Sequence, residues 1–424
     1  MGDIATGEAV TQPVARRRYH RAMPRARLAR SVAVVVVVAL STAIASASVA
    51  TAAKAPWARK IDALIGERPM SVAVGNDGEV WAKHLPWVRR APASNEKLLL
   101  SMALFDAIGT ERTIRTELQT GGRRSGGTLD GNVWLVGRGD PEIDDHQLGV
   151  LARQVAEAGI RRIRGSVKGS RGAFVRDWWA AGWREYFPSS YIALPTALTY
   201  RGNRDRQGRH ISDPERRAAR ALTAKLEKLG VRVTGRPGDG VPRTSMRTIA
   251  EVSSGPIAGI VRRMNVPSRN FAAEVLGKYL GARVFGRASI ATGARAIEAF
   301  AARHGVTIDA NDASGLSYAN RTSATGILQL LWVADAEPWG PALRASLARG
   351  GEGTLADRLR DVQIRAKTGT LEAVSALSGW VWLETSDEWA EFSILSSGMS
   401  TAVAKTIENK IVRLISNNAS DPTP

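Results

Sequence analysis

The chain has 424 residues, 44% hydrophobic and 23% charged, with a formal net charge of +19 and no cysteine. That is the composition of a globular protein with a sizeable core, long enough for one large domain carrying an insertion or for two to three domains. The lack of cysteine excludes disulfides, thiolate catalysis and Cys-based metal sites, and the five histidines (His20, His84, His146, His210, His304) show no pair at ligand spacing that would suit a metal site or a His-centred triad.

Residues 1–30 hold a local +5, residues 31–53 carry no charge, and +14 remains beyond them. The excess points to an anionic neighbour, or equally to arginine simply solvating helix faces. No basic run is interleaved with aromatics in a nucleic-acid pattern, so nucleic acid ranks last and an anionic polymer or membrane surface ahead of it. Near the N-terminus, Arg16, Arg17, Arg18, Arg21, Arg25, Arg27 and Arg30 precede an apolar run starting at Ser31, and Ala45-Ser46-Ala47 and Ala50-Thr51-Ala52 follow. A basic region, an apolar core and an Ala-x-Ala end make a secretory signal over 1–53, and the same run is long enough for an uncleaved anchor. Both readings export the rest of the chain.

In chain order, 71–74 and 79–81 read as strands joined at Gly75-Asn76-Asp77-Gly78, a hairpin. An apolar helix opens at Ser94 and stops near Gly109. Residues 132–136 read as a strand, 147–158 as an amphipathic helix, 162–168 as a strand, and 214–229 as a helix closed by Gly230. Between them, 177–187 gathers Trp178, Trp179, Trp183, Tyr186 and Phe187; the core of a small inserted domain is favoured over a glycan-stacking face. Helices are expected at 257–264, 271–280, 288–304 and 323–336, strands at 362–366, 376–383 and 391–396, and a last helix at 402–415. Terminal parts rich in strands and helices around a mixed middle predict an α+β fold, an antiparallel sheet packed with helices.

Ser94 and Lys97 are one helical turn apart, on one face, where a hydroxyl and an amine can act as nucleophile and base. Such a pair occurs on the order of once by chance in a chain this long, and alone it reads better as a helix start with a snorkelling lysine. Leu98, Leu99, Leu100, Met102, Leu104 and Phe105 argue otherwise, because a helix apolar nearly all round is buried. Two further triplets answer it: Ser268-Arg269-Asn270 in a turn between helices and Lys367-Thr368-Gly369 on a strand. Ser-x-x-Lys, Ser-Asp-Asn and Lys-Thr-Gly are the active-site set of class A β-lactamases and penicillin-binding proteins, and the three triplets here follow that order with Arg269 in the middle of the second.

The chain resembles the D-Ala-D-Ala carboxypeptidase/endopeptidase family of low-molecular-mass class C penicillin-binding proteins. The likeness extends to Val136-Gly137-Arg138-Gly139-Asp140-Pro141, Asn265-Val266-Pro267-Ser268-Arg269-Asn270-Phe271-Ala272-Ala273-Glu274, Asp312-Ala313-Ser314-Gly315-Leu316-Ser317, Gly353-Thr354-Leu355 and Ala366-Lys367-Thr368-Gly369-Thr370-Leu371. It implies a serine β-lactamase/penicillin-binding-protein-like transpeptidase fold at 54–116 and 253–418, an inserted smaller α/β domain at 117–252 and a tail at 419–424. Arg269 stands where the family usually has Asp, and Ser94 and Ser268 lie 174 residues apart, room for one main insert where many relatives carry more. Asp140 and Asp312 read as structural rather than as acid and base.

The implied substrate is the D-Ala-D-Ala end of peptidoglycan stem peptides, with β-lactams as covalent inhibitors. In the implied chemistry Ser94 is the nucleophile, Lys97 its base and Ser268 the proton relay. Asn270 holds the substrate amide. Lys367, Thr368, Gly369 and Thr370 bind the terminal carboxylate, and the N–H groups of Ser94 and Thr370 form the oxyanion hole. Lys97 must be neutral to act, and burial together with Lys367 is expected to lower its pKa. No metal and no cofactor is required. The alternatives are a β-lactamase, for which no convincing deacylating Glu is found, and a non-catalytic wall-binding protein that keeps the fold.

Overall fold

The computed structural model describes residues 56–242 and 245–418. The expected export segment and C-terminal tail lie outside the described residues. In chain order the main elements are α1 (Pro56–Ile65), β1 (Met70–Asn76), β2 (Glu79–His84), α2 (Glu96–Ile108), β3 (Arg115–Thr120), β4 (Val133–Gly137), α3 (Asp145–Glu157), β5 (Val167–Ser170), α4 (Pro214–Lys228), β6 (Gly238–Gly240) and β7 (Arg247–Ser253). After them come α5 (Ile257–Asn265), α6 (Asn270–Phe285), α7 (Ile290–Arg303), α8 (Ala324–Ala336), α9 (Gly340–Ser346), β8 (Ile364–Leu371), β9 (Val374–Leu383), β10 (Glu388–Ser397) and α10 (Thr401–Asn418).

The main sheet runs β8-β9-β10-β1-β2, antiparallel throughout. It is covered on both faces. Ile61, Ile65, Ile411 and Ile415 of α1 and α10 pack with Val72, Val381 and Ile394 on one side; on the other, Ala376, Trp380 and Leu395 meet α2 and the helices from α5 to α9. A strand covered on both faces does not alternate: Val374–Leu383 is buried along its length except at Trp382, with Ser375 and Ser378 among its apolar residues. The expected α+β architecture is therefore present, with α2 at its centre: every residue from Glu96 to Phe105 is buried.

Residues 115–253 hold a second sheet, β6-β5-β4-β3-β7, with α3 and α4 against it and an apolar core of its own that includes Leu135, Leu148, Leu151, Leu222 and Leu226. Here the sequence reading needs two corrections. The strand expected over 162–168 is two strands in different sheets: Arg162–Arg164 pairs with Thr128–Asp130 and Arg232–Val233, whereas β5 pairs with β4 and β6. The break falls at Gly165, where a Cβ would lie 2.4 Å from the Gly131 carbonyl oxygen, so the chain must cross there. The tryptophan group is not the core of this region. Trp183 packs with Phe187, Ile192, Ile290 and Leu316, beside the main helices, and Trp179 is half exposed.

Candidate active site

The site lies where the turn before α2, the turn before α6 and the edge strand β8 converge. Ser94 sits in a short 3-10 turn, Ala93–Asn95, that leads into α2. Ala93 has φ 46°, a left-handed conformation that a residue with a Cβ adopts only under constraint. Two glycines supply it. A Cβ on Gly315 would lie 1.9 Å from the Ala93 carbonyl oxygen, and one on Gly369 would lie 2.6 Å from that of Pro92. The glycine of Lys-Thr-Gly thus lets β8 press against the backbone that carries Ser94. Ser268 is left-handed as well, at φ 58°, in the turn between α5 and α6.

These backbones bring the three triplets together. Lys97 Nζ lies 2.9 Å from Ser94 Oγ and 2.8 Å from Asn270 Oδ1, and it also donates to the Ser314 carbonyl. Lys367 Nζ donates to Ser268 Oγ at 2.9 Å and to the Thr368 carbonyl at 2.9 Å. Thr368 Oγ1 bonds Thr354 Oγ1 at 2.7 Å. Ser94, Ser268, Asn270, Thr368 and Thr370 line one cleft of about 640 Å³, walled on its far side by Tyr186, Tyr191 and Tyr318. All eight residues singled out from the sequence fall in this one region.

The backbone N–H groups of β8 can be placed by register. β8 is the outer strand of its sheet, and the Ala366 N–H points outward, to the Ala348 carbonyl at 3.0 Å. Backbone direction alternates along a strand, so the N–H groups of Thr368 and Thr370 face the same open side.

Both lysines are buried to 1% exposure or less. Burial pushes the Lys97 ammonium down to about 8, against the opposing pull of Asp312, Glu274 and Glu96. Lys367 is pushed well below the usual lysine range, by burial and then by the charge of Lys97. The depression of Lys97 expected from Lys367 is therefore not found; it acts the other way, on Lys367, and carboxylates, not a second cation, are the charges that tune Lys97.

Those carboxylates were not assigned a part in the chemistry. Asp312 is fully buried and holds its own loop: Trp183 Nε1 donates to Oδ2 at 2.7 Å, Ser317 N–H to Oδ2 at 2.9 Å, and Gly315 N–H to Oδ1 at 3.0 Å. Glu274, one turn after Asn270, accepts from the N–H groups of Ala313 and Ser314 at 2.9 and 2.7 Å and so fixes the carbonyl that Lys97 meets. Burial and Asp312 raise the Glu274 carboxyl to about 8. Asp140 is a turn former, its Oδ1 accepting from the Glu142 N–H at 2.9 Å. The signal for Glu274 was its i+4 spacing from Asn270, which places both on one face of α6.

A penicillin-recognising serine enzyme fold, with a hydroxyl, two buried lysines and an amide around one cleft, is the class these features define. The match to known proteins agrees. The family model for D-Ala-D-Ala carboxypeptidase 3 (S13) matches residues 70–205 and 187–418, so the chain belongs to that family and is a serine-type D-Ala-D-Ala carboxypeptidase. A D-alanyl-D-alanine carboxypeptidase of Actinomadura sp. (strain R39) is 27% identical over 429 residues, 78% of each chain. Penicillin binding protein 4 of Haemophilus influenzae superposes with a TM-score of 0.73 at 19% identity, covering 85% of this chain and 99% of its own. A structure of that protein complexed with a β-lactam gives 0.69 at 18%, covering 84% and 99%.

Proposed function

We propose that the protein is an exported carboxypeptidase that trims peptidoglycan stem peptides ending in D-Ala-D-Ala through an acyl-enzyme on Ser94, and that β-lactams acylate the same oxygen. Family membership supports the substrate and the site of action outside the cytoplasm; the geometry supports the division of roles. The observation that carries it is the Lys97 amine 2.9 Å from Ser94 Oγ with two further acceptors around it. A neutral amine has two hydrogens and one lone pair. Donating to Asn270 Oδ1 and the Ser314 carbonyl leaves the lone pair for the Ser94 hydroxyl.

Ser94 Oγ attacks the carbonyl carbon of the penultimate D-Ala while its proton passes to Lys97 Nζ. The oxyanion accepts from the N–H groups of Ser94 and Thr370, donors of a kind worth about 3–4 kcal/mol each in comparable sites. As the C–N bond breaks, the leaving nitrogen takes the Ser268 hydroxyl proton, and the proton held by Lys97 replaces it. Water then attacks the ester, its proton moves to Lys97, and the C–O bond breaks as that proton returns to Ser94 Oγ. The products are free D-Ala and a stem peptide shortened by one residue. Lys367, Thr368 and Thr370 bind the terminal carboxylate at the end of the cleft, with Gly369 setting the approach of β8. We also propose that 117–252 is a domain inserted in a catalytic domain formed by 54–116 and 253–418; the separate core of the second sheet supports this.

The test is labelling with a fluorescent penicillin alongside D-Ala release from a pentapeptide. A long-lived adduct on the wild type, none on Ser94→Ala, and D-Ala release lost with it are the expected results. An adduct on the Ser94→Ala protein, or rapid hydrolysis of penicillin without a lasting adduct, would overturn the reading, the second in favour of a β-lactamase.

A further inference from the structure

A cationic groove lies along α4. Its lining brings seven basic side chains, among them Arg201, Arg204, Arg206, Arg217, Arg220 and Lys228, against two carboxylates, Asp145 and Asp205, around a cavity of about 440 Å³. Arg217, Arg220, Ala224 and Lys228 follow one another along one stripe of α4, about 16 Å long at the rise of an α-helix. Ala221 and Ala224 keep the stripe low in the middle, and the 200–206 loop forms the opposite wall.

The pairing is incomplete. Asp145 is shared between Arg201 and Lys225, Asp205 is taken by Arg209, and Arg217 is paired with Asp213. Arg204 bonds only the Gly208 carbonyl, and Arg206, Arg220 and Lys228 have no partner among the described residues. A groove that holds unpaired guanidinium groups at close quarters is electrostatically unfavourable when empty and favourable around phosphate, which the Arg fork fits bidentately.

The groove is also not isolated. A second cavity, of about 560 Å³, shares Arg201 and Arg204 with it and shares Tyr191 and Asn270 with the catalytic cleft. Shared lining residues set the three cavities in a row, here called the trough, from the Ser94 cleft to the face of α4.

From this we infer that the trough's cationic end binds a phosphodiester-bearing polymer of the cell wall and holds the enzyme on its insoluble substrate while the cleft works. The inference rests on the carboxypeptidase reading above for the identity of that substrate. A single polyanionic chain fits a narrow concavity that a flat bilayer cannot enter. Nucleic acid is disfavoured because the only ring in the groove, Tyr200, is 9% exposed and offers no face for a base to stack on.

The test uses the Arg204→Gln/Arg206→Gln/Arg220→Gln protein, none of whose changes touches the catalytic groups. Co-sedimentation is measured with intact cell walls, with walls stripped of phosphate polymer, with phosphatidylglycerol vesicles and with a single-stranded oligonucleotide, over a salt series. The wild type is expected to bind intact walls about tenfold or more tightly than the variant, with a salt slope steeper by about 2–3 for the three lost charges. Stripping the walls brings the wild type down to the variant. Release of D-Ala from a soluble pentapeptide is the same for both. Equal binding of the two proteins to intact walls, no effect of stripping, or tighter binding to vesicles or oligonucleotide overturns the inference. Should the triple variant not fold, Arg220→Glu alone and the comparison of stripped with intact walls for the wild type decide it. Failure of the wild type to turn over pentapeptide counts against the carboxypeptidase reading and leaves the wall-binding comparison standing.

Discussion

In the proposed mechanism Lys97 acts as base only in the fraction of molecules in which it is unprotonated. Burial brings its pKa to about 8, so the amine is still mostly charged at pH 7 and mostly neutral above 8. The rate of acylation by penicillin is therefore expected to rise with pH and to level off above a limb near 8, read from stopped-flow labelling across pH 6–9.5. Lys97→Arg, whose guanidinium stays charged, should show no such limb and a loss of about 1000-fold or more. A third buried lysine has a different task. Lys278 on α6 is fully buried and donates to the carbonyls of Val175, Asp177 and Pro195 at 3.0, 3.0 and 2.9 Å, while pairing with Asp177 Oδ1 at 2.5 Å. It ties down the segment that carries Tyr191, whose carbonyl accepts from Asn270 Nδ2 at 3.4 Å. Lys278→Met strands those acceptors and should cost about 3 kcal/mol of stability, seen in the melting temperature. Lys97 was legible in the sequence because its spacing puts it on the same helical face as Ser94. Ser314 was not assigned, because it acts through a carbonyl that any residue possesses. Lys278 was not singled out, because its burial depends on the 175–195 segment that lies over it.

At the scale of elements, the contact between β8 and the turn before α2 decides how well the site is assembled. Gly369→Ala puts a methyl 2.6 Å from the Pro92 oxygen and 3.1 Å from the Ala93 Cβ. The strand must retreat, and displacements on the order of 1 Å at a reacting centre cost about 100-fold in rate. The expected outcome is penicillin acylation slowed by about that factor while the melting temperature falls by only a few degrees. Leu99→Ala, in a fully buried position of α2, should do the reverse, destabilising by about 2–5 kcal/mol with a smaller effect on the folded enzyme's acylation rate. The hairpin, α2 and β8 to β10 were legible because their apolar patterns follow from burial. The two strands inside 162–168 were not, since their break at Gly165 answers to Gly131, 34 residues away in sequence. Strand β7 went unread too: Arg247–Ser253 is an edge strand with only Ala250 fully buried, so its pattern is faint.

Over the whole molecule, buried carboxyls set how stability follows pH. Glu391 lies in the main sheet, where burial and its neighbour Asp335 raise it to about 9, and its Oε2 accepts from Trp332 Nε1 at 3.1 Å. Its folded pKa exceeds the unfolded value, so the folded state holds the extra proton. Stability is fully present below about 4.5 and is lost as pH rises through 9. Glu274 acts in the same direction up to about 8. Urea unfolding is therefore expected to show stability declining between about pH 5 and 8, and Glu391→Gln should flatten that decline. Charge balance was legible at this scale from composition. The trough was not, because it depends on which arginines the fold leaves without partners.

The outer edge of β8 has a consequence that a solution measurement can read. The Ala366 N–H is closed by the Ala348 carbonyl, but those of Thr368 and Thr370 face the cleft with no strand beside them among the described residues. In the free enzyme these two amide hydrogens should exchange with deuterated solvent orders of magnitude faster than those of β9, which is paired along both sides. If the proposed oxyanion hole operates, acylation of Ser94 should engage the Thr370 hydrogen with the acyl oxygen and slow its exchange. Two backbone hydrogens would then report occupancy of the enzyme without any label on the ligand.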